Sequence, residues 1–259
     1  PVLMNRVLIT GINSGIGQAL AERLSQNTII HGTYRGRKSN LDFAELTKVD
    51  FSSQKNVDDW CHKTNFSIYD SIIFVHGTLE PIGSLSDCSY DDWENAYRIN
   101  YLSIVQVLSS AVLKMKSNCK ILTFAGGGVN SAPTKFNSYI NAKVALIKMT
   151  EVLAAEYPDL IFLNVGPGWV DTPIHQQTLH AKEIVPEAYK ETARRYEEND
   201  FVSMQLVIDS LIFLLDNANS KFSGRNYSIA SKEIFHEDFL ESLENPNIYK
   251  LRRLNKEHT

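Results

Sequence analysis

At 259 residues, 43% of them hydrophobic and 22% charged, the chain is long enough to bury a sizeable core within one large α/β domain. Its formal charge of −4 gives no electrostatic ground for a nucleic-acid partner or an anionic membrane surface, and no run approaches the roughly 18 apolar residues of a membrane span. Cys61, Cys88 and Cys119 are odd in number, widely spaced and outside any CxxC pattern, so no disulfide framework or metal site is expected, and a reducing, cytoplasmic setting is.

Pro1-Val2-Leu3-Met4 leads straight into an apolar run at 7–10, so no signal peptide is expected. That run is followed by Thr10-Gly11-Ile12-Asn13-Ser14-Gly15-Ile16-Gly17 and a helix-like stretch at 18–24. Strand, glycine turn, helix is the order in which a backbone can approach a pyrophosphate. Gly11 permits the tight turn, Gly15 the close approach and Gly17 the packing of helix on strand, while the helix N-terminus offers free N–H groups and the positive end of its dipole. A dinucleotide site is therefore expected at Gly11, Asn13, Ser14, Gly15, Ile16 and Gly17.

Further apolar runs at 28–34, 70–75, 120–124 and 161–165, each followed by a helix-like segment, predict βαβ crossovers and a parallel sheet covered on both faces. The expected fold is a Rossmann-like, doubly wound three-layer αβα domain spanning 1–259. Only eleven residues separate Tyr34 from Leu46, so the helix between the second and third strands should be stunted or absent. The second strand ends in His31-Gly32-Thr33-Tyr34-Arg35-Gly36-Arg37-Lys38, with no acid before Asp42. An acid there would hold the ribose hydroxyls of NAD, whereas cations suit a 2′-phosphate. Arg35 is the expected partner of that phosphate, and NADP(H) the expected cofactor.

Residues 91–115 read as one long helix capped by Ser89 or Asp91, with Asp92 and Glu94 in its first turn. Its apolar stripe of Ala96, Ile99, Leu102, Val105 and Leu113 is broad enough to face a partner chain as well as the sheet. Asn100 sits among these apolar neighbours and must be hydrogen-bonded if buried. The strand at 120–124 runs into Ala125-Gly126-Gly127-Gly128, and a helix begins near Phe136. On it, Tyr139 and Lys143 share one face, one turn apart. An ammonium beside a phenol favours the phenolate and draws its pKa, ordinarily about 10, toward the working range.

In this order the residues resemble the short-chain dehydrogenase/reductase family over nearly the whole chain. The likeness rests on Thr10-Gly11-x-x-x-Gly15-x-Gly17, Asp50 after the third strand, Asn100, Tyr139-x-x-x-Lys143, and Pro167-Gly168-Trp169-Val170-Asp171-Thr172 after the run at 161–165. The resemblance implies that Tyr139 exchanges the proton with the substrate oxygen, that Lys143 holds the nicotinamide ribose and lowers the tyrosine pKa, and that Asn100 holds a water in the proton relay. It also implies that Pro167, Gly168, Val170 and Thr172 close over the nicotinamide end, while Asp50 and Phe51 meet the adenine. The activity implied is NADP(H)-dependent reduction of a small-molecule carbonyl, or oxidation of the alcohol, in a homodimer or homotetramer. A cofactor-binding protein without catalysis and a nucleotide-sugar epimerase or dehydratase are the alternatives.

Two departures stand out. The family's Asn-Asn-Ala-Gly after the fourth strand is here Phe74-Val75-His76-Gly77, so that Gly77 alone survives, and His76 is either a cofactor contact or a satisfied local histidine. The family's substrate-binding serine, about thirteen residues before the tyrosine, falls on Gly126, and Ala125 beside it has no hydroxyl either. Loss of such a donor can cost about 10² to 10³ in rate. Thr123, Asn130, Ser131 and Ser138 are the candidate substitutes, Ser131 first.

The triple glycine and the C-terminal Tyr249-Lys250-Leu251-Arg252-Arg253-Leu254 look, more loosely, like a subgroup found with bacterial surface-polysaccharide genes, which would imply a keto group on a nucleotide-linked sugar. Residues 172–201 then form the substrate loop, in which His175, Gln176, Arg194 and Arg195 meet the sugar and its diphosphate or else belong to a solvated helix face. The tail from about 233 to 259 carries Phe235, Phe239, Leu240, Leu243, Tyr249 and Leu251. It is too apolar to be disordered and should pack on its own subunit or on a neighbour.

Overall fold

The computed structural model describes residues 5–38 and 40–253. Strand β1 (Asn5–Thr10) turns through the glycines into helix α1 (Gly15–Leu24), and β2 (Thr28–Tyr34) and β3 (Ala44–Lys48) follow. Next come α2 (Gln54–Lys63), β4 (Ser71–Phe74), α3 (Tyr90–Tyr97), α4 (Ser103–Ala111), β5 (Lys120–Phe124), α5 (Asn137–Glu156) and β6 (Ile161–Gly166). The chain ends with α6 (His175–His180), α7 (Pro186–Glu198), α8 (Met204–Asn217), β7 (Arg225–Ser228) and α9 (Phe239–Ser242).

The strands form one seven-stranded parallel sheet in the order β3-β2-β1-β4-β5-β6-β7. Successive strand residues point to opposite faces, so each apolar pair feeds both layers of the core. Ile9, Ile73, Leu122 and Leu163 face the α1 and α8 side, whereas Leu8, Ile72, Ile121 and Phe162 face α2, α4 and α5. The order reverses at β1, which pairs with β2 on one side and β4 on the other. The crevice at the carboxyl ends of β1 and β4 is thus the switch point at which open α/β sheets take ligands.

As the short spacing implies, no helix joins β2 to β3 among the described residues. The expected single helix over 91–115 is corrected. It starts where the Ser89 hydroxyl accepts the Asp92 N–H at 3.1 Å, but it breaks into α3, a π-helical turn at Arg98–Leu102, α4 and a final 3-10 turn at Val112–Lys114. The cause is side-chain competition for backbone acceptors. The Asn100 amide donates to the Ala96 carbonyl at 2.9 Å and the Ser103 hydroxyl to the Ile99 carbonyl at 3.0 Å, inside the ladder itself. The described part of the tail packs on its own subunit, where Phe239 and Leu243 join the core beside Phe222 and Tyr227.

Candidate active site

Gly11 has φ +67°, and a Cβ there would stand 2.9 Å from the His76 Cα, so the exits of β1 and β4 touch backbone to backbone. Ser14 caps α1 by accepting the Gly17 N–H at 3.0 Å. The N–H groups of Gly15 and Ile16 have no partner among the described residues, and they open a ten-residue helix. This is an arrangement that can hold a pyrophosphate. The Asn13 amide donates to the Arg37 carbonyl at 2.7 Å and ties this turn to the basic loop after β2, while Thr172 lies directly over Gly15. Gly168, with φ +78°, turns the chain after Pro167. The Val170 side chain is buried in the core.

Arg35 is exposed and lines a cavity of about 520 Å³ together with Gly77, Thr78, Ile99 and Gln177. Its charge reaches Asp50. Partial burial would raise that carboxyl, but hydrogen bonds from Ser52 and the charges of Arg35 and Lys48 hold it below the usual carboxylate value. Phe51 does not lie open beside this cavity. Its ring is buried and stacked on His76 at 3.8 Å.

The His76 ring is the satisfied histidine of the two expectations. Nδ1 lies 2.6 Å from the Thr10 hydroxyl and Nε2 3.1 Å from that of Ser103. Ser103 already donates to the Ile99 carbonyl at 3.0 Å and so accepts the proton of Nε2, while Thr10, whose alternative acceptor is the Ile73 carbonyl at a longer 3.5 Å, donates to Nδ1. Burial, and after it the charge of Lys143, pull the His76 pKa down to about 3, which keeps the ring neutral. Asn100 is fully buried. Its amide donates to the Thr78 and Ala96 carbonyls, each at 2.9 Å, and its oxygen accepts the Thr78 N–H at 3.1 Å, so this side chain ties the π turn to the loop after β4.

These elements converge on Gly77, where a Cβ would stand 2.8 Å from Asn100 Oδ1 and 3.6 Å from Lys143 Nζ. The Lys143 ammonium lies 5.7 Å from the centroid of the Tyr139 ring. Neither group makes a hydrogen bond among the described residues. The expected lowering of the phenol is not what the geometry gives: burial pushes Tyr139 up to about 12 and Lys143 down to about 8. Desolvation outweighs mutual attraction because the ammonium stands over the ring and is not bonded to the hydroxyl. Beyond the hydroxyl lies Gly126, where a Cβ would be 2.6 Å from Tyr139 Cε1 and Cζ and closer still to Oη. Of the four candidate hydroxyl or amide substitutes, Thr123 is spent on Asn164 at 2.7 Å, Asn130 and Ser131 are exposed, and Ser138 is buried without a partner.

The segment after Thr172 folds over this centre. Gln177 Oε1 accepts the Leu79 N–H at 2.7 Å and the Thr78 hydroxyl at 3.3 Å, which pins α6 to the loop after β4. The underside is apolar: Ala181 and Val185 pack with Leu79 and Phe136, with Ile174 and Tyr139 at the margin. Trp169 stacks on His175 with ring centroids 4.8 Å apart and carries the Arg195 guanidinium over its ring at 4.6 Å. Arg194 is held by Glu191, Glu198 and Asp200, and Arg195 by Glu191 at 2.8 Å and Asp200 at 3.2 Å. Both arginines are therefore neutralised where the looser likeness offers them to a diphosphate. Gln177, Thr78 and Ser103 escape sequence reading because no spacing marks them. Gln177 differs from the neighbouring Gln176 only in the direction the helix turns it.

A family model described as enoyl-(acyl carrier protein) reductase matches residues 11–230. An uncharacterised oxidoreductase of Schizosaccharomyces pombe is 27% identical over 233 residues, which cover 85% of this chain and 94% of the relative. The benzil reductase ((S)-benzoin forming) of Saccharomyces cerevisiae is 23% identical over 221 residues, 76% of this chain and 84% of its own. Among solved structures, a short-chain dehydrogenase/reductase of Saccharomyces cerevisiae matches the fold with a TM-score of 0.76 at 22% identity, over 87% of this chain and 96% of that one. The likeness to the surface-polysaccharide subgroup finds no support in these comparisons.

Proposed function

The chain belongs to the short-chain dehydrogenase/reductase family, and from that premise we propose that it is an NADP(H)-dependent oxidoreductase that reduces an apolar carbonyl compound or oxidises the matching alcohol. The observation that carries this reading is the convergence of Asn100 Oδ1 and Lys143 Nζ on Gly77 at the switch point, with Tyr139 one helical turn before Lys143. Bound nicotinamide supplies or accepts the hydride. The chain's part is to bind, orient and move the proton. The Gly15 and Ile16 N–H groups receive the pyrophosphate, Arg35 with Arg37 and Lys38 the 2′-phosphate, and Pro167, Gly168 and Thr172 cover the nicotinamide end. Tyr139, its hydroxyl tied to no group among the described residues, passes the oxygen-bound proton. Lys143, at about 8, is still charged at neutral pH and stands over the Tyr139 ring, while burial keeps the phenol protonated, the form that donates in the reduction.

The proposed substrate class is supported by what packs beside Tyr139. The apolar cluster of Leu79, Phe136, Ala181 and Val185 packs beside Tyr139, and Arg194 and Arg195 are already paired with carboxylates, which supports an uncharged ketone at the reacting end, with Arg35, Glu80, Asp92 and His180 in the adjoining cavity left for more polar parts of the ligands. The relative named benzil reductase points the same way. A cofactor-binding protein without catalysis is the second reading, favoured by the phenol at about 12 and by the missing hydroxyl at Gly126.

NADPH oxidation, followed at its absorbance band against apolar ketones, diaryl diketones and nucleotide-linked keto sugars, tests the choice. Turnover of the apolar ketones is expected, and Tyr139→Phe should lower it by about 10² to 10⁴ with NADPH binding retained. Saturable NADPH binding with no turnover anywhere on the panel would favour the second reading.

A further inference from the structure

The most informative position in the site is the one where the family's hydroxyl is missing. Gly126 does not leave a hole there. The Tyr139 ring fills the space that any side chain at 126 would need, with Cε1 and Cζ only 2.6 Å from the Cβ position and Oη nearer. Ordinary contact begins at about 3.4 Å. The two arrangements, a hydroxyl-bearing side chain at 126 and Tyr139 where it stands, exclude each other.

The backbone around Gly126 supplies what the side chain does not. Ala125 is the last residue of this stretch whose N–H is paired, to the Val165 carbonyl at 2.9 Å. The N–H groups of Gly126, Gly127 and Gly128 donate to nothing among the described residues. At Gly127 the Cβ position meets nothing within 4 Å, and at Gly128, with φ +93°, it would meet Ile140 Cδ1 and Cγ1 at 2.9 Å. The turn is thus pressed against α5 at both ends, Gly126 on Tyr139 and Gly128 on Ile140, and open between them at Gly127.

We propose that this glycine turn is the donor side of the site: backbone N–H groups of Gly126–Gly128 hold the substrate oxygen in place of a side-chain hydroxyl, and Gly126 is a positioning residue that lets Tyr139 reach that oxygen. Backbone donors are as serviceable as hydroxyls when they are fixed before the reaction. The inference rests on the reductase reading above. It runs against the second reading, a cofactor-binding protein without catalysis, under which the missing hydroxyl at Gly126 would be a loss.

The test is Gly126→Ser and Gly126→Ala beside the parent. Either side chain must push the Tyr139 ring aside by about 1 Å, and a misplacement of that size can cost about 10²-fold in rate. Expected is a fall in kcat of about 10²-fold in both variants, with the NADPH dissociation constant unchanged, and crystal structures in which Tyr139 Oη has moved by about 1 Å or more. An equal or higher kcat in Gly126→Ser would overturn the proposal, as would a Tyr139 left in place in that variant. A comparable loss in Ser131→Ala would also overturn it, since a side-chain hydroxyl would then be the donor. If the parent binds NADPH but reduces nothing on the panel, the reductase reading fails and the donor assignment with it, while the crystal structures still decide whether Gly126 and Tyr139 share one space.

Discussion

Lys143 is a buried ammonium, 5% exposed, with no hydrogen-bonding partner among the described residues, and this has a thermodynamic consequence separate from any chemistry. Its pKa in the folded chain is about 8, below the ordinary 10.5. Between those values the unfolded chain binds more protons, so stability rises with pH across that window, and below pH 8 the full burial penalty applies. The gap corresponds to roughly 3 kcal/mol. Lys143→Met should therefore raise Tm by several degrees at pH 7, by much less near pH 10, and abolish turnover. Scanning fluorimetry at the two pH values measures it, and an unchanged Tm at pH 7 would mean that the ammonium is not desolvated. His76, in the same patch, resolves the problem differently: it stays neutral and satisfies both ring nitrogens through Thr10 and Ser103. A residue held at a stability penalty beside one that avoids it is the pattern expected when the first is retained for function.

At the scale of the element, the site is held by two devices that join separate parts of the chain. Asn100 and Ser103 bend the helical path by taking carbonyls out of the ladder, and the same Asn100 grips Thr78. The periodic apolar stripe runs straight through this region, so periodicity alone reads it as one helix. The second device is Gln177, which holds α6 down through the Leu79 N–H and the Thr78 hydroxyl. A hydrogen bond of this kind contributes a net of about 1 kcal/mol, or a factor of about five in an equilibrium. Gln177→Ala should accordingly speed amide hydrogen exchange over residues 174–185 and raise KM for the carbonyl substrate roughly three- to tenfold, with little change in kcat. Exchange as slow as in the parent would show that the apolar contacts of Ala181 and Val185 hold the segment without it.

Over the whole molecule, the features legible in the sequence were those set by local period and spacing. The strands, the glycine turn, the lack of a helix between β2 and β3 among the described residues, and the Tyr139–Lys143 pair each depend on residues a few positions apart. What stayed hidden was the choice of partner for each polar side chain. The sequence offered Arg194 and Arg195 to a substrate, but Glu191 and Asp200 hold them, and it left open which subunit the tail would cover. Arg225 answers that question. It is 5% exposed, and its guanidinium donates to the carbonyls of Lys221 at 3.0 Å, Leu243 at 2.7 Å, Asn245 at 3.0 Å and Ile248 at 2.9 Å, so that one buried cation gathers the tail onto β7. The Asn226 N–H then donates to the Tyr249 carbonyl at 2.7 Å, which covers part of the sheet's edge strand. Arg252 adds a bidentate pair with Glu151 at 2.7 and 3.0 Å, but its side chain is 36% exposed. The two arginines should differ accordingly. Arg225→Met strands several acceptors at once and should cost on the order of 3 kcal/mol or more in urea unfolding, whereas Arg252→Ala should cost under about 1 kcal/mol. Arg225→Met should also aggregate more readily, because a loosened tail uncovers both the β7 edge and the aromatic face formed by Phe222, Tyr227 and Phe239. Equal and small losses would mean instead that the tail is held by its apolar side chains alone, and that the buried guanidinium stabilises little.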